Sequence, residues 1–166
     1  MPTFDYTQFP RAGLFRRLAS WVYDFLLAMA VYMVAGAVGF AIFGIFYKLG
    51  LIDMSGHEHL IEVQQSSLFY SSLIYLWNLA WVAYFFVFFW VKSGQTLGMK
   101  AWRLRLQNTD GSLITRKTAL MRLLPTLLGI GNFWLIIDRK NKQSLQDKVT
   151  NTEVVLLSLA ANRGRL

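Results

Sequence analysis

The chain has 166 residues, a length that suits a single domain. Its residues are 55% hydrophobic and only 16% charged. A soluble domain carries roughly 25% charged residues, so this composition indicates a membrane protein. The formal net charge is +8, and the basic residues lie beside apolar segments. Anionic lipid headgroups are therefore a better partner than nucleic acid. The absence of cysteine excludes disulfides, thiol catalysis and cysteine-based metal sites.

The first long apolar segment, residues 17–48, is predicted to be a membrane-spanning helix. It carries no charge between Asp24 and Lys48, and about 20 apolar residues are enough to cross a bilayer. An aspartate at the centre of such a helix costs roughly 2.5–3.5 kcal/mol, so Asp24 is expected to face a neighbouring helix. Ala28, Ala35 and Gly39 lie on the face of Asp24 at helical spacing, and small residues permit the close approach of a second helix.

Arg17 precedes Asp24 by seven residues, which places both on one helix face about 10 Å apart along the axis. This separation is too long for a direct ion pair, so each side chain is expected to have a partner elsewhere. Asp147 is flanked by the apolar Leu145 and Val149, and we expect it to fold against the membrane face and meet Arg17. Asp24 is either a functional residue or a structural contact, and Arg17 is alternatively an anchor at the membrane interface.

Residues 68–91 form the second predicted span, rich in aromatic residues, with Asn78 near its middle. Asn78 could donate to Asp24 or serve as a plain contact between helices. The preceding polar connection contains His57-Glu58-His59, but this spacing alone is weak evidence for a metal site. We therefore expect no metal ion and no cofactor.

The strongly basic residues 92–118 follow the second span. Alternation over 102–107 predicts a short strand, and Asn108-Thr-Asp-Gly111 predicts a turn, so a small hairpin with its basic side toward the headgroups is expected. The β-favouring residues 150–157 would pair with strand residues 103–106. Residues 94–98 are interpreted as a turn, because they lack the Gly-Lys-Ser/Thr ending of a phosphate-binding loop.

Residues 119–137 form a third apolar segment whose uninterrupted length is too short for an ordinary span. Pro125, Gly129 and Gly131 interrupt it. If this segment dips and returns, 16 of the 17 Lys and Arg residues lie on one side of the membrane, with Lys48 opposite. The positive-inside rule favours that topology, with 92–118, 138–166 and both termini in the cytoplasm. Three full spans are the alternative.

Four stretches together resemble the RDD family of bacterial membrane proteins. They are Arg17 with Asp24, residues 94–100 with 104–111, Arg122-Leu-Leu, and the block 138–155. The resemblance covers about residues 11–157. It implies a family polar site of Arg17, Asp24 and Asp147, with Asp138 as an alternative to Asp147. Gln146 stands where the resemblance leads us to expect His. The resemblance also implies an inner-membrane location and transport of a small ligand, with cation/proton exchange as one version.

These observations predict an all-α transmembrane protein with one domain over 1–166. Two antiparallel membrane helices, a broken or re-entrant third segment and a small β-like cytoplasmic element would form it. The predicted function is that of a transport component in which Asp24 binds a cation or proton, supported by Asn78, with Arg17 and Asp147 as a cytoplasmic gate. A non-catalytic membrane adaptor with structural Arg and Asp residues is the alternative. An enzyme is not expected, since no catalytic set is visible. Two helices cannot enclose a pathway, so a homo-oligomer or a membrane partner is expected.

Overall fold

The computed structural model describes residues 4–54, 56–138 and 140–163. Arg139 and Arg165, which contribute to the charge argument for topology, lie outside these residues. The helices are α1 (Leu14–Lys48), α2 (Leu60–Ser66), α3 (Leu68–Ser93), α4 (Leu97–Ala101), α5 (Arg116–Leu127), α6 (Ile130–Ile137), α7 (Leu145–Thr150) and α8 (Leu159–Arg163). The strands are β1 (Leu104–Asn108) and β2 (Thr152–Leu156), and a short 3-10 turn covers Tyr6–Gln8.

The helices α1 and α3 are long and apolar enough to cross a membrane. Their 35 and 26 residues contain the two predicted spans, with α1 beginning slightly earlier and α3 ending slightly later. The third apolar segment is broken, as predicted, into α5 and α6. The two parts are bent by 77° relative to each other. Gly129 lies at the break with a φ of 68°, a left-handed conformation that glycine adopts without steric cost. By length and composition the structure thus has two candidate spans, or three if the bent pair is one span.

The chain divides into two compact units, of which the smaller is formed by residues 28–84. In this unit Trp77 donates its indole N–H to the carbonyl oxygen of Ala35 at 2.9 Å, and the rings of Phe43 and Tyr70 lie 5.1 Å apart. The order of these contacts makes the helical segments antiparallel. A Cβ on Gly39 would lie only 3.0 Å from the Trp77 ring, so the predicted small-residue face does permit close packing here.

The larger unit comprises residues 1–27 and 85–166 and contains the sheet. The strands β1 and β2 pair antiparallel, with Leu104 opposite Leu156 and Asn108 opposite Thr152. The predicted pairing between the basic segment and the C-terminal strand is therefore confirmed. Residues from both ends of the described chain form a hydrophobic core that includes part of β2. Its members are Val155, Leu157 and Ala161, packed against Phe4, Tyr6 and Phe9.

Two expectations for the basic segment are wrong. The turn at Asn108 and Gly111 forms, but the chain continues into α5, and the strand partner of β1 is β2 instead of a hairpin neighbour. Arg105 does not face headgroups, because it is only 2% exposed and its guanidinium lies 3.7 Å from the Tyr6 ring centroid. Stacking on an aromatic face accommodates the Arg105 guanidinium in the interior.

Candidate functional site

Asp147 lies completely buried between two arginines that come from distant parts of the sequence. Its Oδ2 accepts from Arg17 of α1 at 2.6 Å, and its Oδ1 accepts from Arg122 of α5 at 2.7 Å. Arg17 is 5% exposed and Arg122 is 3% exposed. The predicted contact between Arg17 and Asp147 is therefore present, and a second arginine completes it. We call these three residues the arginine clamp.

The sequence around Asp147 fixes its position at the start of α7. Ser144 caps the helix by accepting from the Asp147 backbone N–H at 3.3 Å, and Asp147 Oδ2 accepts in return from the Ser144 N–H at 3.0 Å. This reciprocal capping box satisfies two backbone donors that the helix leaves unpaired. Burial alone raises the pKa of Asp147, but the guanidinium groups of Arg17 and Arg122 and the Ser144 N–H lower it, and the net pKa lies below the ordinary value of 3.8.

The two arginines also bind polar atoms besides Asp147. Arg17 donates to the backbone carbonyl oxygens of Ala12 and Lys142, at 3.1 Å and 3.0 Å. Arg122 donates to the hydroxyl groups of Thr150 and Thr152. A guanidinium carries five N–H donors in a rigid fork, which lets one side chain join several segments. The clamp thus connects the first helix, the broken third segment and the residues before β2.

Asp24 has a different set of partners, and every donor to it among the described residues is uncharged. Its Oδ2 accepts from the Thr96 hydroxyl at 2.5 Å, and its Oδ1 accepts from the Gly98 backbone N–H at 3.0 Å. The Ser20 hydroxyl lies 3.5 Å from Oδ2. Thr96 is also the N-cap of α4, where it accepts from the Met99 N–H at 3.1 Å. Asp24 is 5% exposed, and the turn after α3 therefore closes over it.

A cavity of about 60 Å³ in the larger unit is lined in part by Asp24, Arg17 and Arg122. Polar side chains from the third segment and α7 form another part of its wall, and apolar side chains form the rest. The polar residues are Thr126, Asn132 and Gln146, and the apolar ones include Phe86, Trp90 and Met99. The Gln146 amide nitrogen donates to Asn132 Oδ1 at 3.2 Å. The cavity places Asp24 and the clamp arginines at one polar centre.

The other predicted site residues, Asn78 and Asp138, make different contacts. Asn78 belongs to the unit of residues 28–84, where its amide nitrogen lies 3.3 Å from the Cβ position of Gly36. Asp24 accepts from Ser20, Thr96 and Gly98, and the predicted hydrogen bond from Asn78 to Asp24 stays a prediction. Asp138 forms an ion pair with Lys148 at 2.6 Å, and this interaction places it outside the clamp.

The His57-Glu58-His59 segment has no metal-binding arrangement in the structure. His57 Nδ1 lies 3.9 Å from a Glu62 carboxylate oxygen, and His59 is the N-cap of α2. Among the described residues, no group of three or more His, Cys, Asp and Glu side chains could hold a metal ion.

Sequence reasoning missed Arg122, Thr96 and Gly98 as parts of the polar centre. The stretch Arg122-Leu-Leu contributes to the family resemblance, but no partner of Arg122 is predicted from it, although a charge between two apolar stretches is itself a signal of a buried partner. Thr96 and Gly98 are predicted only as turn residues. Their signal was the small and hydroxyl-bearing composition of a turn that directly follows a membrane helix, which permits close approach to a buried carboxylate.

Two long apolar helices and a buried cluster of two arginines and an aspartate define the class of protein: an integral membrane protein with a polar centre. The RDD family model matches residues 11–151, so the chain belongs to the RDD family, as the sequence resemblance predicted. No curated protein and no solved structure matches it.

Proposed function

We propose that this RDD protein is a transport component of a bacterial cytoplasmic membrane, in which Asp24 binds the transported proton or small cation. A contrast between the two buried carboxylates supports this. Asp147 contacts two guanidinium groups, whereas the described donors to Asp24 are a backbone N–H and two hydroxyl groups. A buried carboxylate without an adjacent positive charge is costly, and a bound proton or cation removes that cost.

The arginine clamp has a structural role in this proposal and replaces the gate expected from the sequence. Both Asp147 oxygens have charged donors, and Arg17 also donates to three backbone carbonyl oxygens. A gate would have to break these buried interactions in every cycle, and removing one partner of a buried pair costs about 3–5 kcal/mol. We therefore assign binding and release of the transported proton or cation to Asp24, and a structural role to Asp147.

The surroundings of the protein in the membrane are part of the same proposal. Two or three spans cannot enclose a pathway, so we propose a homo-oligomer or a complex with a membrane partner. Both termini would lie in the cytoplasm, where exposed basic side chains would contact anionic headgroups. These include Arg116, Lys117, Lys140 and Lys142.

Ion flux in proteoliposomes tests the assignment of Asp24. Purified protein should move protons or Na⁺ along an imposed gradient, and Asp24→Asn should abolish that flux while the protein remains folded. Asp110→Asn is the matched control, because Asp110 lies in the exposed turn before α5 and accepts from Ser112. Equal flux from Asp24→Asn and the unchanged protein would reject the proposal.

A non-catalytic membrane adaptor is the second candidate. It is favoured by the contacts of Asp24 with Thr96 and Gly98, which attach the turn after α3 to α1 in the manner of a structural anchor. The two functions predict different behaviour of Asp24→Asn in cells. A normal protein level with lost physiological activity supports transport, whereas loss of the folded protein supports the adaptor.

A further inference from the structure

Three residues that line the cavity beside Asp24 each carry a buried polar atom without a protein hydrogen-bond partner. Among the described residues these are Arg122 Nε, Thr126 Oγ1 and Gln146 Oε1, and all three residues line the cavity. Arg122 and Gln146 are each only 3% exposed. A buried donor or acceptor left unpaired costs about 1–3 kcal/mol, so three of them on residues around one cavity favour a polar occupant.

The chemistry of these atoms restricts what the occupant can be. Arg122 Nε is a donor, Gln146 Oε1 is an acceptor, and the Thr126 hydroxyl is both. An occupant must therefore accept and donate hydrogen bonds at once. A monatomic cation cannot accept from Arg122, and a simple anion cannot donate to Gln146.

The size of the cavity leads to the same class of ligand. Buried water needs roughly 10–15 Å³ and makes about three hydrogen bonds, so the cavity of about 60 Å³ has room for roughly four molecules.

We propose that the cavity is a binding site for a cluster of ordered water molecules that pair Arg122 Nε, Thr126 Oγ1 and Gln146 Oε1 and reach the Asp24 carboxylate. The cluster supplies Asp24 with mobile hydrogen-bond partners that its contacts with Thr96 and Gly98 do not offer. The consequence for function rests on the proposed role of Asp24: water carries the proton or the hydrated ion to that carboxylate.

Radiolytic footprinting of the purified full-length protein in nanodiscs tests the site directly. X-ray pulses produce hydroxyl radicals from bound water, and these radicals oxidise neighbouring side chains before they diffuse away. Phe86 and Phe43 are matched probes, because each residue is 5% exposed. Phe86 lines the cavity, whereas Phe43 belongs to an apolar cluster with Ile52 and Val63. We expect Phe86 to be oxidised several-fold faster than Phe43, including with a radical scavenger in the bulk solvent, because bound water lies beside Phe86. Equal rates would overturn the proposal.

A pair of substitutions at Thr126 tests whether the polar wall holds the water. Thr126→Val preserves the shape and removes the hydroxyl, whereas Thr126→Ser keeps it. We expect Thr126→Val to lower the oxidation rate of Phe86 and Thr126→Ser to preserve it. In a dry cavity, Thr126→Val would instead raise the melting temperature, since it removes an unpaired buried hydroxyl, and it would leave the Phe86 rate unchanged.

The flux assay keeps this inference separate from the proposed function. Rapid oxidation of Phe86 without any ion flux would establish the hydrated site and reject transport. Flux that depends on Asp24, with Phe86 oxidised no faster than Phe43, would retain transport and reject the water cluster.

Discussion

Arg17 and Asp24 lie two helical turns apart on α1, yet their side chains belong to two different hydrogen-bond networks. Arg17 binds Asp147 at the start of α7, whereas Asp24 accepts from Thr96 and Gly98 at the start of α4. One helix thus anchors two segments that are distant in sequence. The separation has an experimental consequence, because substitutions in the arginine clamp and substitutions around Asp24 should alter different properties.

Asp147→Asn should strongly destabilise the protein. The substitution leaves Arg17 and Arg122 buried without their counter-charge, and breaking a buried pair in this way costs about 3–5 kcal/mol. Thermal unfolding in detergent measures the loss. Asp138→Asn is the control, since Asp138 pairs with the half-exposed Lys148 outside the clamp and should change the melting temperature much less. Similar effects of the two substitutions would contradict a structural clamp.

Exchange of the clamp charges should fail to restore stability. A simple ion pair would tolerate Arg17→Asp combined with Asp147→Arg. Here the introduced arginine would lie beside Arg122, and the introduced aspartate could not reproduce the bonds of Arg17 to Ala12 and Lys142. The double variant should therefore unfold at a temperature no higher than either single variant. A melting temperature equal to that of the unchanged protein would mean that Arg122 contributes little to the stability of the clamp.

Acid should weaken the clamp in a defined pH range. The folded-state pKa of Asp147 lies below its ordinary value of 3.8, so the unfolded chain takes up the proton first as the pH falls. The stabilisation from this group is fully present above the unfolded pKa and is lost as the pH falls through the folded pKa. Melting temperatures from pH 7 to pH 3 should show this loss below about pH 4. Asp147→Asn should lack that part of the acid dependence, and an identical acid slope in the variant would contradict the assignment.

The membrane helices could be predicted because their signal is local. Twenty or more apolar residues without charge define α1 and α3 whatever their neighbours are, and the break at Gly129 follows from backbone chemistry at one residue. The pairing of β1 with β2 could also be predicted, since both segments are β-favouring. These features depend on composition over a short stretch of chain.

The polar centre depends on long-range contacts that composition does not encode. Arg122 and Arg105 count as positive charges in a topology argument, but in the structure both are buried and bind interior groups. Counted by charge alone, they do not differ from the exposed Arg116 and Lys117. Asp24 similarly accepts from residues more than seventy positions later in the chain, where the sequence pattern shows only a turn.

Gly98→Ala should disrupt the contact between α4 and α1. A Cβ at this position would lie 2.6 Å from Asp24 Oδ1 and 2.7 Å from the Ser20 carbonyl oxygen, and the backbone atom cannot move aside as a flexible side chain can. Overpacking of this kind costs about 1–3 kcal/mol. Gly13→Ala is the matched control, because a Cβ at Gly13 would meet nothing within 4 Å.

The two glycine variants also separate the roles of Asp24. If the Gly98 N–H helps to hold the Asp24 carboxylate at the cavity, Gly98→Ala should reduce ion flux per folded molecule as well as the melting temperature, and Gly13→Ala should change neither. Flux should be normalised to the folded fraction from gel filtration. The close packing of Gly98 against Asp24 and Ser20 does not allow α4 to move away from α1 without a loss of stability. A Gly98→Ala protein with normal stability and normal flux would therefore contradict this account.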